Sequence, residues 1–119
     1  MTIKEEIRKR LALGDSPVSI SVDVWTRKLQ DLETGVPIKD IRFGTDACAL
    51  CMSVGYDGLE RSRCEDECPY YAYYTVPCFI DYPYNEVEKV YPIRENHRDL
   101  LIIVAEAMIK KLDKLADHA

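Results

Sequence analysis

The sequence lacks the motifs that identify common enzyme classes. It has no glycine-rich phosphate loop, no Gly-x-Ser-x-Gly turn and no His-Glu-x-x-His zinc-protease motif. The paired His-x-Glu and Pro-Cys-x-x-Cys motifs of zinc deaminases are also absent. Histidine is scarce, so only His97 and His118 could serve acid–base chemistry near neutral pH. The sequence therefore favours a protein that is not an enzyme.

Long apolar runs are absent as well. No stretch is long enough to span a bilayer, and the first ten residues alternate charged side chains with single isoleucines instead of forming a signal peptide. We therefore expect a cytoplasmic protein that does not associate with membranes. At 119 residues, of which 47% are hydrophobic and 31% charged, the chain is predicted to form a single soluble domain, 1–119.

Positive charge is in deficit, which bears on the kind of partner. The chain carries 16 Lys and Arg residues against 21 Asp and Glu residues, giving a formal net charge of -5. Broad nucleic-acid binding depends on Lys and Arg neutralising phosphates, so this balance makes a nucleic-acid partner less favoured. An acidic surface is better suited to a basic region of another protein.

What the sequence does contain is a cysteine cluster, because all five cysteines fall within residues 48–78, spaced C-x2-C, x12, C-x3-C, x9, C. Two close pairs of thiols are typical of tetrahedral zinc coordination. A loop-rich segment of this length buries too little apolar surface to fold without such a staple. A reducing compartment also disfavours disulfides, and an odd number of cysteines leaves one unpaired. The pattern predicts a structural zinc site.

The favoured zinc ligands are Cys48, Cys51, Cys64 and Cys68. Each close pair can chelate from one local turn, whereas Cys78 is the substitute for either member of the second pair. His97 is a further alternative ligand, although a place in the first turn of a helix with no ligand role is preferred. Since Cys68 precedes a proline, as in one ferredoxin pattern, an iron–sulfur cluster is the alternative cofactor. Disulfides or metal-free thiols remain the third interpretation.

The N-terminal segment, 2–34, is predicted to be helical. Isoleucines and a leucine at four-residue spacing indicate a helix over residues 3–13, which Gly14 ends. A second helix is expected to begin with Ser21 as its N-cap, after a short extended stretch, and to end at Gly35. Trp25, the single tryptophan, falls in line with the leucines of this helix and is interpreted as a core anchor.

The middle segment, 46–84, contains the cysteine cluster and a run of tyrosines. Residues 36–46, which precede it, are expected to form a connector that contains a short strand. Residues 70–74 are expected to form a strand or extended segment. The candidate partner-binding residues in this run are Tyr70, Tyr71, Tyr73 and Tyr74. Tyrosines at this density can form a binding hot spot or stack on bases, but the interpretation as a roof over the metal site and core is preferred.

The C-terminal segment, 96–116, predicts the strongest helix, with Asn96 as its N-cap and an apolar stripe facing the core. Ile103 lies off that stripe, which makes it a candidate for a partner contact or for a homodimer through this helix. A short helix over residues 84–90 is also expected.

These residues resemble a group of small cysteine-rich proteins encoded by phages, prophages and related mobile elements. The resemblance rests on Trp25 in a helix ahead of the cysteines, the pattern CxxC…CxxxCP…C, and a closing helix. It covers roughly residues 20–116 and implies a mobile-element setting with a metal site, but no particular activity. After Cys78 the chain departs from the tighter Gly-Thr-Pro-Tyr run expected there, which bears on the role of Cys78.

The sequence as a whole predicts an α-rich fold, with α+β as the alternative: a small helical domain whose loop-rich middle is stapled by metal. The expected function is a non-enzymatic protein-interaction module, set in a virus or mobile element and modulating a host protein. The first alternative is a zinc-knuckle binder of single-stranded nucleic acid, with Arg61, Arg63 and Arg94 on phosphates. The second is an iron–sulfur or thiol redox protein.

Overall fold

The computed structural model describes residues 3–41, 50, 69–75, 81–90 and 92–117, and within these ranges the regular structure is entirely helical. The helices are α1 (Ile3–Ala12), α2 (Pro17–Thr34), α3 (Pro69–Tyr74), α4 (Asn85–Lys89) and α5 (Arg98–Asp117), with two 3₁₀ turns at Ile38–Asp40 and Glu95–His97. The predicted α-rich fold is confirmed. None of these helices is both long and apolar enough to cross a membrane.

Helix α1 occupies almost the whole range predicted for it. The helix ends as predicted at Gly14, whose φ of 90° is a left-handed conformation that favours glycine. The backbone N–H of Gly14 donates to the carbonyl of Leu11, and that of Asp15 donates to the carbonyl of Arg10. These two bonds satisfy carbonyls that the end of a helix leaves unpaired.

Helix α2 begins at Pro17, so the predicted start at Ser21 and the extended stretch before it were wrong. Ser16 is the N-cap, and its Oγ accepts from the backbone N–H of Ser19 at 3.5 Å. Proline suits the first helical position because its fixed φ is helical and its missing N–H would be unpaired there anyway. The alternation of Val18 and Ile20 reflects burial on two sides of one helix, since these residues belong to different apolar clusters.

The main core lies where α2 and α5 pack together, and this is the most extensive contact between helices in the described part of the chain. Trp25 is buried there as predicted, with its ring edge-on to Tyr84 at 5.9 Å between centroids. Leu50, Tyr70 and Leu101 belong to the same core. The N-terminal, middle and C-terminal segments therefore all contribute side chains to one apolar cluster.

Helix α5 begins at Arg98, one residue later than an N-cap at Asn96 predicts, and that cap was wrong because Asn96 lies inside a 3₁₀ turn. The 3₁₀ turn Glu95–His97 precedes the helix, and His97 Nδ1 accepts from the backbone N–H of Arg94 at 3.0 Å. An imidazole nitrogen thus takes the part that a glutamate or glutamine side chain plays at the third position of a capping box. The structure places His97 in a structural contact within the helix start.

The guanidinium of Arg98 joins the start of α5 to the end of α2. It donates to the carbonyl oxygens of Leu32 at 2.8 Å and Val36 at 2.7 Å, and to the Glu95 carboxylate at 2.8 Å. Glu95 in turn accepts from the backbone N–H of Ile38 at 2.7 Å, and this bond together with Arg98 lowers the pKa of Glu95. Ile38 lies in the 3₁₀ turn where a short strand was predicted, and that prediction was wrong.

A buried hydroxyl in α2 gives the first testable prediction. Ser21 is buried, and its Oγ has no hydrogen-bond partner. A buried unpaired hydroxyl is destabilising, so Ser21→Ala is expected to raise the free energy of unfolding by about 1 kcal/mol in a urea titration. Ser19→Ala, at an exposed position of the same helix, serves as the control for helix propensity. A loss of stability specific to Ser21→Ala would show that the hydroxyl is satisfied.

Candidate functional site

All five cysteines lie outside the described residues: the four predicted zinc ligands, Cys48, Cys51, Cys64 and Cys68, and the substitute ligand, Cys78. Among the residues that are described, no group of three or more His, Cys, Asp or Glu side chains could hold a metal ion. Leu50 is the one described residue between the first two cysteines, and it is buried in the main core. The backbone between Cys48 and Cys51 is therefore tied to the helical core at that position.

The residues that follow the later cysteines meet in a polar cluster against α5. Tyr70, two residues after Cys68, donates from its hydroxyl to Asp81 Oδ2 at 2.6 Å. Lys111 Nζ donates to the same carboxylate oxygen at 2.6 Å and to the Tyr70 hydroxyl at 3.2 Å. We call Tyr70, Asp81 and Lys111 the clamp. Because Tyr70 follows Cys68 by two residues and Asp81 follows Cys78 by three, the clamp attaches the chain to α5 at one point after each of these cysteines.

The electrostatics of the clamp favour a charged carboxylate. Partial burial of Asp81 by itself would raise its pKa, but the hydrogen bonds from Lys111 and Tyr70 and the positive charge of Lys111 outweigh this and lower the pKa. The Asp81 and Lys111 side chains retain 24% and 26% exposure, so the pair is shielded from solvent but not sealed from it. The clamp is a half-buried ion pair reinforced by a fully buried phenol.

Tyr74 extends the cluster and connects it to the surface. Its hydroxyl donates to the backbone carbonyl of Lys111 at 2.9 Å, and Lys111 Nζ lies 4.6 Å from the centroid of its ring. Burial, followed by the neighbouring Tyr73 and Asp81, raises the pKa of Tyr74. Tyr73 packs edge-on against Tyr74 with 4.7 Å between centroids. These contacts hold Tyr73 in a defined orientation at the protein surface.

The candidate partner-binding tyrosines divide into buried and exposed residues. Tyr70 is fully buried at 0% exposure, and Tyr74 is half-buried, so both serve the core and the clamp. Tyr73 is 38% exposed, whereas the side chain of Tyr71 lies outside the described residues. Tyr82, next to the clamp, is 53% exposed and was not among the predicted residues. We call Tyr73 and Tyr82 the tyrosine surface.

The run 70–74 was predicted as a strand or extended segment, and that prediction was wrong, because Pro69–Tyr74 forms α3. Tyrosine favours strands in isolation, but proline at the first position of a helix and burial of Tyr70 and Tyr74 one turn apart override that preference. A helical period places Tyr70 and Tyr74 on one side and Tyr73 nearer the solvent. Tyr70, Tyr73 and Tyr74 therefore do not form one continuous face.

Ile103 is exposed as its position off the apolar stripe predicted, at 56%. On the same side of the helix, Asp99 and Glu106 lie one turn away and Lys110 two turns away, and all three are exposed charged residues. A single apolar side chain among charges is common on protein surfaces and is no apolar patch. A homodimer through the C-terminal helix stays a prediction.

The clamp acid and base were missed by the sequence reasoning. Asp81 and Lys111 are 30 residues apart, and neither stands in a motif. The one indication in the sequence is the position of Lys111, which precedes Leu112 at the half-buried edge of the apolar stripe of α5. Such a position is compatible with simple solvent exposure, so the pairing could not be derived from the pattern.

Chemically, the clamp is suited to holding structure. It contains an acid, a phenol and an ammonium group, but these bond to one another, and the buried phenol is out of reach of a substrate. In comparisons with known proteins, no family model matches the chain and no curated protein or solved structure is significantly similar to it. The geometry of this chain alone therefore carries the functional argument.

Proposed function

We propose that the chain is a non-enzymatic protein-interaction module, whose cysteine-bearing middle is held by a structural zinc ion and whose tyrosine surface contacts a protein partner. The observation that carries this proposal is the clamp, because it buries Tyr70 beside a half-buried Tyr74 while Tyr73 and Tyr82 stay exposed on an ordered support. Preordered tyrosines bind with little loss of side-chain entropy, which makes them frequent hot spots.

The net charge supports a protein partner with a basic surface over a nucleic acid. The chain carries -5 overall, and the one lysine at the clamp, Lys111, is already paired with Asp81. Stacking on single strands would need free cations along a phosphate path. We propose that the partner is a host protein that this chain modulates in a viral or mobile-element setting.

The proposed zinc ligands are Cys48, Cys51, Cys64 and Cys68, with Cys78 as the substitute. Support comes from their described neighbours, since Leu50, Tyr70 and Asp81 are all anchored to the helical core. Thiolates carried on anchored chain lose less entropy when they bind a metal, so their coordination free energy adds to folding. An iron–sulfur cluster stays the alternative for the same thiolates.

Substituting the exposed tyrosines tests the partner surface. The double variant Tyr73→Ser/Tyr82→Ser is expected to lose at least tenfold in affinity for a protein captured from cell extract by the unaltered chain, because two hot-spot aromatics are removed. Leu13→Ser, which changes an exposed apolar residue elsewhere, is the matched control. Equal capture by all three proteins would contradict the proposal, as would salt-sensitive binding of a single-stranded oligonucleotide by the tyrosine surface.

Single cysteine substitutions test the ligand set. Cys48→Ser is expected to reduce bound zinc from one ion per chain to well below half after dialysis, because a tetrahedral site loses one of four thiolates. Cys78→Ser is expected to keep the full complement and is the matched control. Elemental analysis of both variants distinguishes the favoured set from the substitute set, since loss of zinc from Cys78→Ser as well as from Cys48→Ser would assign Cys78 as a ligand.

A further inference from the structure

His97 closes the short 3₁₀ turn that precedes α5. Its imidazole Nδ1 accepts from the backbone N–H of Arg94 at 3.0 Å, and its own backbone N–H donates to the carbonyl of Arg94 at 3.0 Å. These reciprocal bonds close the turn in the manner of a capping box. A ring nitrogen that accepts a hydrogen bond carries no proton, so the closed turn requires a neutral imidazole at Nδ1. We call the turn Glu95–His97, together with Arg98, the latch.

The latch carries the side chains that reach across to the end of α2. The Glu95 carboxylate accepts from the backbone N–H of Ile38 at 2.7 Å. The guanidinium of Arg98 donates to the carbonyl oxygens of Leu32 at 2.8 Å and Val36 at 2.7 Å. Because Glu95 is the first residue of the 3₁₀ turn and Arg98 directly follows it, loss of the closed turn displaces both bridging side chains.

A proton on the His97 imidazole opposes the closed turn in three ways. A protonated Nδ1 is a donor, so it would face the backbone N–H of Arg94 without accepting from it. The added positive charge lies in the chain between two arginines, Arg94 and Arg98. It also lies at the N-terminal end of α5, a helix of 20 residues whose dipole disfavours cations at that end. All three effects favour the neutral ring.

The other charged groups around the latch keep their charge near neutral pH. The Glu95 carboxylate accepts from the N–H of Ile38 and from Arg98, and these bonds lower its pKa, so it stays ionised throughout the range in which histidine titrates. Asp99, in the first turn of α5, is exposed. Across the latch, the segment 31–40 contains four charged side chains: Asp31, Glu33, Lys39 and Asp40. Within the described part of the chain, none of these four forms an ion pair with the latch.

We propose that the latch between α5 and α2 is proton-sensitive: it is closed while His97 is neutral and opens when the imidazole takes up a proton. Histidine changes its charge between about pH 5 and 8, so the stabilisation by the latch is present above that range and is lost as the pH falls through it. Opening removes Glu95 from the N–H of Ile38 and Arg98 from the end of α2. The apolar core between the two helices carries no charge and stays packed. Asp81 does not contribute to this response, because its lowered pKa confines its own titration to more acidic solutions.

Nuclear magnetic resonance of the full chain, titrated from about pH 8 to about pH 5, tests the latch directly. The amide signals of Arg94 and Ile38 are expected to shift together with the imidazole signals of His97, because both amides lose their acceptors in one event. His97→Gln keeps a side-chain oxygen that can accept at this position but does not titrate, so neither amide should shift in this variant. His118→Gln removes the other histidine and should leave the shifts of the unaltered chain in place.

Urea unfolding at the two ends of the same pH range gives the size of the effect. The folding equilibrium constant of the unaltered chain is expected to fall about fivefold from the higher to the lower pH, which is the typical contribution of one helix-capping bond. That of His97→Gln should change much less. An equal fall in both proteins would assign the pH dependence to another group and overturn the proposal. A shift confined to the Arg94 amide, with Ile38 unchanged, would show that the capping bond breaks without opening the latch and would also overturn it.

Discussion

Arg98→Met is expected to lower the free energy of unfolding by about 3 kcal/mol, the largest effect of any surface-accessible substitution considered. The guanidinium bonds two carbonyl oxygens at the end of α2 and one carboxylate at the start of α5. Methionine keeps most of the volume but leaves the carbonyls of Leu32 and Val36 without this donor, and hydrogen bonds to charged groups contribute about 1.5 to 3 kcal/mol each. Urea denaturation followed by circular dichroism measures the change.

Two further variants separate the bond geometry from the charge. Arg98→Lys retains the positive charge but cannot span two carbonyls with a planar fork, so it is expected to lose about half as much stability. Arg8→Met, at an exposed position of α1, should change stability by less than about 0.5 kcal/mol. If Arg98→Lys matched the unaltered protein, the charge alone would account for the effect, and the account of carbonyl bridging would be wrong.

Lys111→Met is expected to cost about 2 kcal/mol, because it leaves a half-buried carboxylate at Asp81 with Tyr70 as its remaining clamp partner. Asp81→Asn should cost a comparable amount. The double variant should lose less than the sum of the two, since each single change has already broken the same ion pair. Additive losses in a double-mutant cycle would show that Lys111 and Asp81 act independently.

The lowered pKa of Asp81 also sets a pH dependence. A carboxyl whose pKa is lower in the folded state contributes stability that is present above its ordinary pKa of about 3.9. That contribution is lost as the pH falls below this value toward the folded-state pKa. Unfolding free energies measured from pH 6 downward should therefore decline less steeply for Asp81→Asn than for the unaltered chain. Parallel curves would contradict the clamp as a source of acid sensitivity.

The helices that the sequence predicted well are those with sustained apolar periodicity and clear glycine ends. Gly14 and Gly35 end α1 and α2 with the left-handed backbone expected of them. The start of α2 was missed because four residues, Val18 to Ser21, fit a period of two as well as a helix buried on two sides. The dipeptide Ser16-Pro17 was the stronger local indication, since it supplies both a cap and a helical φ.

The candidate site was predicted only in part, because the residues that form it are far apart in the sequence. A cluster of tyrosines indicates that aromatic contacts matter, but not which rings are buried, because that depends on α3 docking against α5. The partner of Tyr70 is Asp81 across a loop, and Lys111 reaches both from another helix. Contacts between residues so far apart in the chain produce no repeating pattern in the sequence. The short spacings between cysteines, by contrast, indicate metal ligation by themselves, and the zinc site that they predict stays a prediction.

Native mass spectrometry of freshly purified protein, with elemental analysis of the same sample, determines whether a metal ion holds the middle segment. One zinc ion per chain is expected, bound by thiolates whose neighbours in the sequence are anchored at Leu50 and at the clamp. Iron with inorganic sulfide would contradict the structural zinc site in favour of a cluster. A metal-free mass lowered by pairs of hydrogen atoms would instead show disulfides and contradict any metal-held middle segment.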